Sequence, residues 1–303
     1  MPGYEPSLQW QEPDRNQGSN NMGLTELWLK LAFQKPGCPI CRLRQESEDR
    51  YLFNLLYEHV TDGITRMHLV HAMGLCSEHS WMLQATEFRH WHDGLGVGII
   101  YEDLTERVLQ SLYQYQASNS PSRISKRKAL RQRLEHMGWF GRWLAQQLVR
   151  EVPVESLLQQ ISPVDSCPAC RIIEALEDNY LHSLVRQATV PEFRSWYAAS
   201  DGLCLPHLRR ALAYTKDEEV VRFLVEEAAR RLGQLRVHLQ EYVRKHAWDN
   251  RHESKTSLEQ SSWIRAVAFF AGECREERED VDQLRQKALD NYHKQAVMSS
   301  HEQ

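Results

Sequence analysis

The chain has 303 residues and 35.6 kDa, with 42% hydrophobic and 26% charged residues and a net charge of −4. With 14 Gly and 11 Pro it has a globular composition, neither collagenous nor low-complexity. No apolar run approaches the roughly 18 residues of a membrane span, and a charge so near neutral does not mark the whole chain as a polyanion binder.

In chain order, residues 1–22 come first. Met1 to Asn21 is rich in Gln, Asn, Pro and Gly and reads as disordered. It lacks the apolar stretch of a secretory signal, so no export is expected. Residues 23–116 form a first helical repeat. It carries Cys38-Pro39-Ile40-Cys41, and then Leu52, Leu55, Leu56 and Val60 at helical spacing. Thr61-Asp62-Gly63 breaks that helix, and Gly74 stops a return helix just before Cys76 and His79. Tyr101, Leu104, Val108, Leu112 and Tyr115 mark a further helix. Residues 117–150 are predicted to be a linker (Ala117 to Ser125) and a basic amphipathic helix.

Residues 151–250 repeat the plan. Cys167-Pro168-Ala169-Cys170 leads into Ile173, Leu176, Tyr180 and Leu184, Pro191 opens the return helix, and Gly202 precedes Cys204 and His207. A long stripe follows, from Val221 through Leu224, Ala228, Leu232, Leu235 and Leu239 to Tyr242, six turns or roughly 35–40 Å. Residues 251–303 hold a linker (Arg251 to Ser262) and C-terminal helices, Ser262 capping a helix that starts at Trp263. No stretch sustains period-two alternation, so the predicted class is all-α.

The two halves are a tandem duplication. At an offset of 129, Cys38, Pro39, Cys41, Arg42, Glu48-Asp49, Tyr51-Leu52 and Leu55 meet identical residues at Cys167, Pro168, Cys170, Arg171, Glu177-Asp178, Tyr180-Leu181 and Leu184. One residue is then skipped, and Gly74-Leu75-Cys76 with His79 meets Gly202-Leu203-Cys204 with His207. Each half thus holds one Cys-x-x-Cys and one Cys-x-x-His, three thiolates and an imidazole, a full tetrahedral set for zinc. The expected ligands are Cys38, Cys41, Cys76 and His79 in one half and Cys167, Cys170, Cys204 and His207 in the other. Two zinc ions per chain are expected, each tying the base of its own helical hairpin in a Cys3His knuckle.

Six of the seven cysteines fall in this pattern and Cys274 stands apart. An odd number of thiols without an export signal suits a reducing cytoplasm rather than a disulfide scaffold. Two other chemistries use such thiols. An iron–sulfur cluster is one, although all-cysteine ligation is its rule. Thiol–disulfide exchange is the other, although its Cys-x-x-Cys sits beside a βαβ unit and none is visible. A closed four-ligand site leaves no position for substrate, which points away from an enzyme; no catalytic constellation accompanies the ligands.

The Cys-Pro-Ile-Cys and Gly-Leu-Cys-Ser-Glu-His motifs, their recurrence, and the block from Ser262 to Gly272 resemble an uncharacterised bacterial family, a domain of unknown function with duplicated motifs. The resemblance spans Leu24 to Gly272. It implies a bacterial cytoplasmic protein with two metal knuckles and supplies no activity.

Two further features stand out in the sequence. From Arg123 to Arg150 eight basic residues face one acid, Glu135, with Trp139, Phe140 and Trp143 interleaved. That pattern suits nucleic acid, but an amphipathic helix packing Leu130, Leu134, Trp143 and Leu144 inward, with solvated arginines, explains it more simply. His59, His68, His71, His79, His90 and His92 cluster early, without a counterpart set in the second half, so apart from His79 they are expected to be packed or exposed rather than ligating. The expected role is therefore a zinc-stabilised interaction or regulatory module whose partner is another protein, with nucleic acid possible but not favoured and no membrane.

Overall fold

The computed structural model describes residues 23–136, 138 and 153–273, and among these every regular element is helical. The expected disorder of Met1 to Asn21, the stretch from Trp139 to Leu144 and the segment from Cys274 onward lie outside the described residues.

In the first half, α1 (Leu24–Phe33) precedes α2 (Pro39–Glu58), a short return helix α3 (Gly63–His71), α4 (Ser77–Trp91) and α5 (Leu95–Ser118). Asp62 caps α3 by accepting a hydrogen bond from the Thr65 amide at 2.8 Å. After the basic helix α6 (Pro121–Glu135) and the short α7 (Val154–Gln160) the plan recurs in α8 (Pro168–Gln187), α9 (Pro191–Ala199), α10 (Leu205–Ala213) and the 27-residue α11 (Glu218–Arg244). A 3-10 turn at Trp248–Asn250, α12 (Ser257–Gln260) and α13 (Ser262–Ala271) close the described chain.

Two readings of loops are corrected. Ala117 to Ser125 is not a linker, because α5 runs through Ser118 and Pro121 opens α6; a proline in the first turn starts a helix as readily as it ends one. Arg251 to Ser262 contains α12, capped by Thr256 in a reciprocal arrangement with Glu259, and α13 begins at Ser262 with Ser261 before it. On α6, Leu134 is buried while Leu130 is 45% exposed, so the inward face is narrower than expected.

Among the described residues, the most extensive helix contact joins α2 to α8, one from each half. They run antiparallel. Ile40 and Leu43 at the start of α2 share a core with Leu181 and Leu184 in the second half of α8, Arg44 is 3.8 Å from Glu177 in its middle, and Tyr51 further along α2 feels the charges of Cys167 and Arg171 at its start. Two apolar cores follow. One gathers α1, the start of α2, the second half of α8 and α9 to α11 around Leu29, Ile40, Leu181, Leu184 and Leu224, with Phe33 edge-on to Phe193 and Tyr197. The other gathers the rest of α2 with α3 to α5 around Leu52, Leu55, Leu83 and Ile100. Helix α2 belongs to both: the second core is made of first-half residues alone, whereas the first core joins α1 and the start of α2 to the helices of the second half.

Candidate metal centres

All four ligand pairs sit at helix starts. Cys38, Cys76, Cys167 and Cys204 are the N-cap residues of α2, α4, α8 and α10, and Cys41, His79, Cys170 and His207 lie three positions on, in the first turn. N-cap and third helical residue face the same side of the turn, and the free amides and dipole of a helix start stabilise thiolate. Proline in the first turn of α2, α8 and α10 removes an amide that has no helical partner.

The eight predicted residues come together, but in exchanged sets. Cys38 and Cys41 meet Cys204 and His207; Cys76 and His79 meet Cys167 and Cys170, and in each group the candidate ligand atoms lie within 4.8 Å of one another. The expectation that each hairpin closes on its own metal is thereby corrected. The reason is length. His79 lies beside Glu48 and His207 beside Glu177, each glutamate ten residues into its helix, about 15 Å of rise from the Cys-x-x-Cys. Nine-residue return helices retrace only about 13.5 Å and leave the second pair near the middle of the long helix. The antiparallel packing of α2 on α8 brings the other half's Cys-x-x-Cys to that level.

The spacing fits one ion. In the first group Cys41 and Cys204 sulfurs are 3.7 Å apart, and His207 Nδ1 is 3.0, 3.4 and 3.4 Å from Cys204, Cys38 and Cys41. In the second, Cys76 and Cys170 are 3.7 Å apart and His79 Nδ1 is 3.1, 3.3 and 3.8 Å from Cys76, Cys170 and Cys167. Bond lengths for tetrahedral zinc imply about 3.8 Å between sulfurs and about 3.6 Å from sulfur to nitrogen.

Both histidines offer Nδ1 to the sulfurs and turn Nε2 toward a glutamate. His207 Nε2 is 2.9 Å from Glu177, which also accepts from Arg210; Arg210 reaches Asp178, and Asp178 accepts from the Tyr214 hydroxyl. His79 Nε2 is 3.9 Å from Glu48 and has no hydrogen-bond partner among the described residues. Arg44 stands between the two carboxylates, 3.0 Å from Glu48 and 3.8 Å from Glu177. Glu48 and Glu177 were visible as identical positions of the repeat; that they back the histidines was not foreseen.

The clustered thiols and imidazoles shift one another strongly. Burial opposes charge on His207, yet Cys204, Cys38 and Cys41 hold its pKa up at about 12; at His79 burial likewise loses to Cys167 and Cys76, which lift it to about 9. Burial raises Cys167, but His79 and the amides of Cys170 and Cys76 bring it down to about 6, while burial and Cys76 push Cys170 up to about 12. Of the remaining early histidines, His71 faces Asp165 at 3.4 Å and His90 stands edge-on to Phe53; none joins a third group among the described residues.

Fold and site together define an all-α protein with two reciprocal Cys3His groups, each shared between the halves of an internal repeat. The chain belongs to the family of unknown function DUF6062, which it matches over residues 24–277. It is similar to an uncharacterised 23.9 kDa protein in the xynA 3′ region of Caldicellulosiruptor sp. (strain Rt8B.4), with 24% identity over 241 residues, 79% of this chain and 97% of that protein. No solved structure matches. Among the described residues, no helix is long and apolar enough to cross a membrane.

Proposed function

We propose that the chain is a non-enzymatic helical interaction module whose halves are stapled by two zinc ions. The observation that carries this reading is the exchange of ligand sets. Each group supplies four protein donors to one ion, which leaves no coordination position for substrate, and each draws two donors from either half. The role of the metal is then to lock the two repeats into one body. Zinc is favoured over an iron–sulfur cluster because a cluster distributes its ligands over separate irons, spreading them wider than the tetrahedron of a single ion. The 3.7 Å sulfur separations belong to the single ion.

A protein partner is favoured by α13, where Trp263, Ile264, Val267 and Phe270 lie on one side of the helix and are each at least half exposed. Apolar stripes of this kind mark association surfaces. The basic helix α6 exposes Lys126, Arg131 and Arg133, but a solvated face accounts for them. Nucleic-acid binding would appear as affinity that falls steeply with salt, and no appreciable affinity at physiological salt is expected.

Elemental analysis of the purified full chain tests the metal reading. Two zinc ions per chain and a colourless protein are expected, and Cys274→Ser should leave that number unchanged. Iron with visible absorbance, or fewer than one ion in carefully handled protein, overturns it. For the surface, Val267→Glu with Phe270→Glu should abolish association while metal content and melting stay as they were.

A further inference from the structure

We infer that the two centres are unequal: the one built from Cys76, His79, Cys167 and Cys170 is an exchange site that passes its ion to competing thiol or chelating ligands, while the one built from Cys38, Cys41, Cys204 and His207 retains its ion. The inference rests on the zinc reading above.

Three observations separate the centres. The first is access. Cys38, Cys41, Cys204 and His207 are all at most 7% exposed, whereas Cys76, Cys167 and Cys170 are only half-buried around a buried His79. The second is cover. The end of α13 folds over the buried centre, with the Glu273 amide donating to Cys41 Sγ at 3.4 Å and the Glu273 carboxylate accepting from the Cys38 amide. Gly272, at φ +87, makes that approach possible; a Cβ there would stand 3.4 Å from Cys41 Sγ. The third is anchoring. His207 is held at 2.9 Å by a glutamate that Arg210 also grips, while His79 has its glutamate at 3.9 Å. A carboxylate on the far nitrogen orients a ligating histidine and raises its basicity.

Ligand exchange proceeds by approach of an outside donor to the ion, so it is governed by how much of the coordination shell solvent can reach. At the half-buried centre a chelator replaces three sulfurs and one nitrogen in turn. Zn²⁺ leaves without change of oxidation state, and the released thiolates and imidazole take up protons from water. Loss of that ion unties the start of α4 from the start of α8, while α2 and α10 stay joined at the buried centre. One contact between the halves thus opens with the protein still folded.

The test uses zinc-loaded full-length protein, its metal content measured first, mixed with excess 4-(2-pyridylazo)resorcinol and followed by absorbance. One equivalent should leave at least tenfold faster than the other. N-ethylmaleimide added after the fast phase, followed by peptide mass mapping, should find Cys76, Cys167 and Cys170 alkylated and Cys38, Cys41 and Cys204 protected. The labelling is done on the wild type and so does not depend on a variant folding; Cys76→Ser should lose only the fast equivalent. Release of both ions in a single phase, or early labelling of Cys38, Cys41 or Cys204, overturns the inference and leaves the zinc reading standing. Fewer than two ions before mixing overturns the zinc reading and the inference with it.

Discussion

A ligating histidine is only as well placed as the group that holds its second nitrogen. Glu177 does this for His207 while sharing its charge with Arg210, and Arg44 sits between Glu177 and Glu48. Glu177→Gln removes the anion but keeps the shape. Metal affinity at the buried centre should fall about 10- to 100-fold with helical content unchanged, as read by competition with a chelator of known affinity. Glu48→Gln should cost less, because His79 lies further from its carboxylate; an equal or larger loss would speak against the carboxylate–histidine pairing.

Protons must leave before an ion can bind. Among the protein groups alone, His207 and Cys170 are held up at about 12 and His79 at about 9, so all three carry protons at neutral pH. Loading two ions at pH 7.5 in dilute buffer should therefore release at least three protons per chain. Cys167, brought down to about 6, is already a thiolate at that pH. Its depressed value makes its contribution present above that range and lost as pH falls through about 6, so affinity at the half-buried centre should drop more steeply below that pH. Metal uptake without proton release would contradict the ligand assignment.

At the level of elements, the decisive quantities are helix starts and helix lengths. The ligand pairs were legible in the sequence because a Cys-x-x-Cys or Cys-x-x-His only needs its own turn to present two donors, and that turn is local. Which pair meets which was not legible. It depends on α2 and α8 lying antiparallel and on return helices less than half as long as the outgoing ones, and a repeat alignment is blind to both. The same limit applies to Ala117 to Ser125, where polar residues look like a loop until Pro121 is seen opening a helix. Glu48 and Glu177 were plain as repeated acids, but one helix in isolation does not say that a histidine 30 residues later will lie beside them.

Helix α4 carries His79 at its start and Leu83 one turn later, fully buried against α2. Leu83→Ala should cost about 2–5 kcal/mol, measured by denaturant unfolding of the zinc-loaded protein. Because the cavity lies close behind Cys76 and His79, metal should also be lost earlier from the half-buried centre than from the buried one. A cost below about 1 kcal/mol would mean that α4 does not pack as described.

For the whole molecule, the exchange of ligands turns a duplication into a single body. Helix α2 contributes to both cores, α1 packs on α2 and on α8 and α9 of the other half, and Val164 and Asp165 donate their amides to the His71 carbonyl just before Cys167 begins the second repeat. A metal ion held by either group would add a tie between the halves, where a self-contained knuckle would add none. The placing of the cysteines at helix starts, the apolar packing along α2 and α8, and the carboxylates behind the histidines all favour this one arrangement.

The pairing of the ligands is tested most directly by counting tightly bound zinc in two double variants of the full chain. Cys38→Ser with Cys204→Ser damages a single centre and should leave one ion per chain. Cys38→Ser with Cys76→Ser, although confined to one half of the sequence, damages both centres and should leave none. Knuckles closed within each half require the opposite: no ion in the first variant and one in the second. That result would contradict the shared centres.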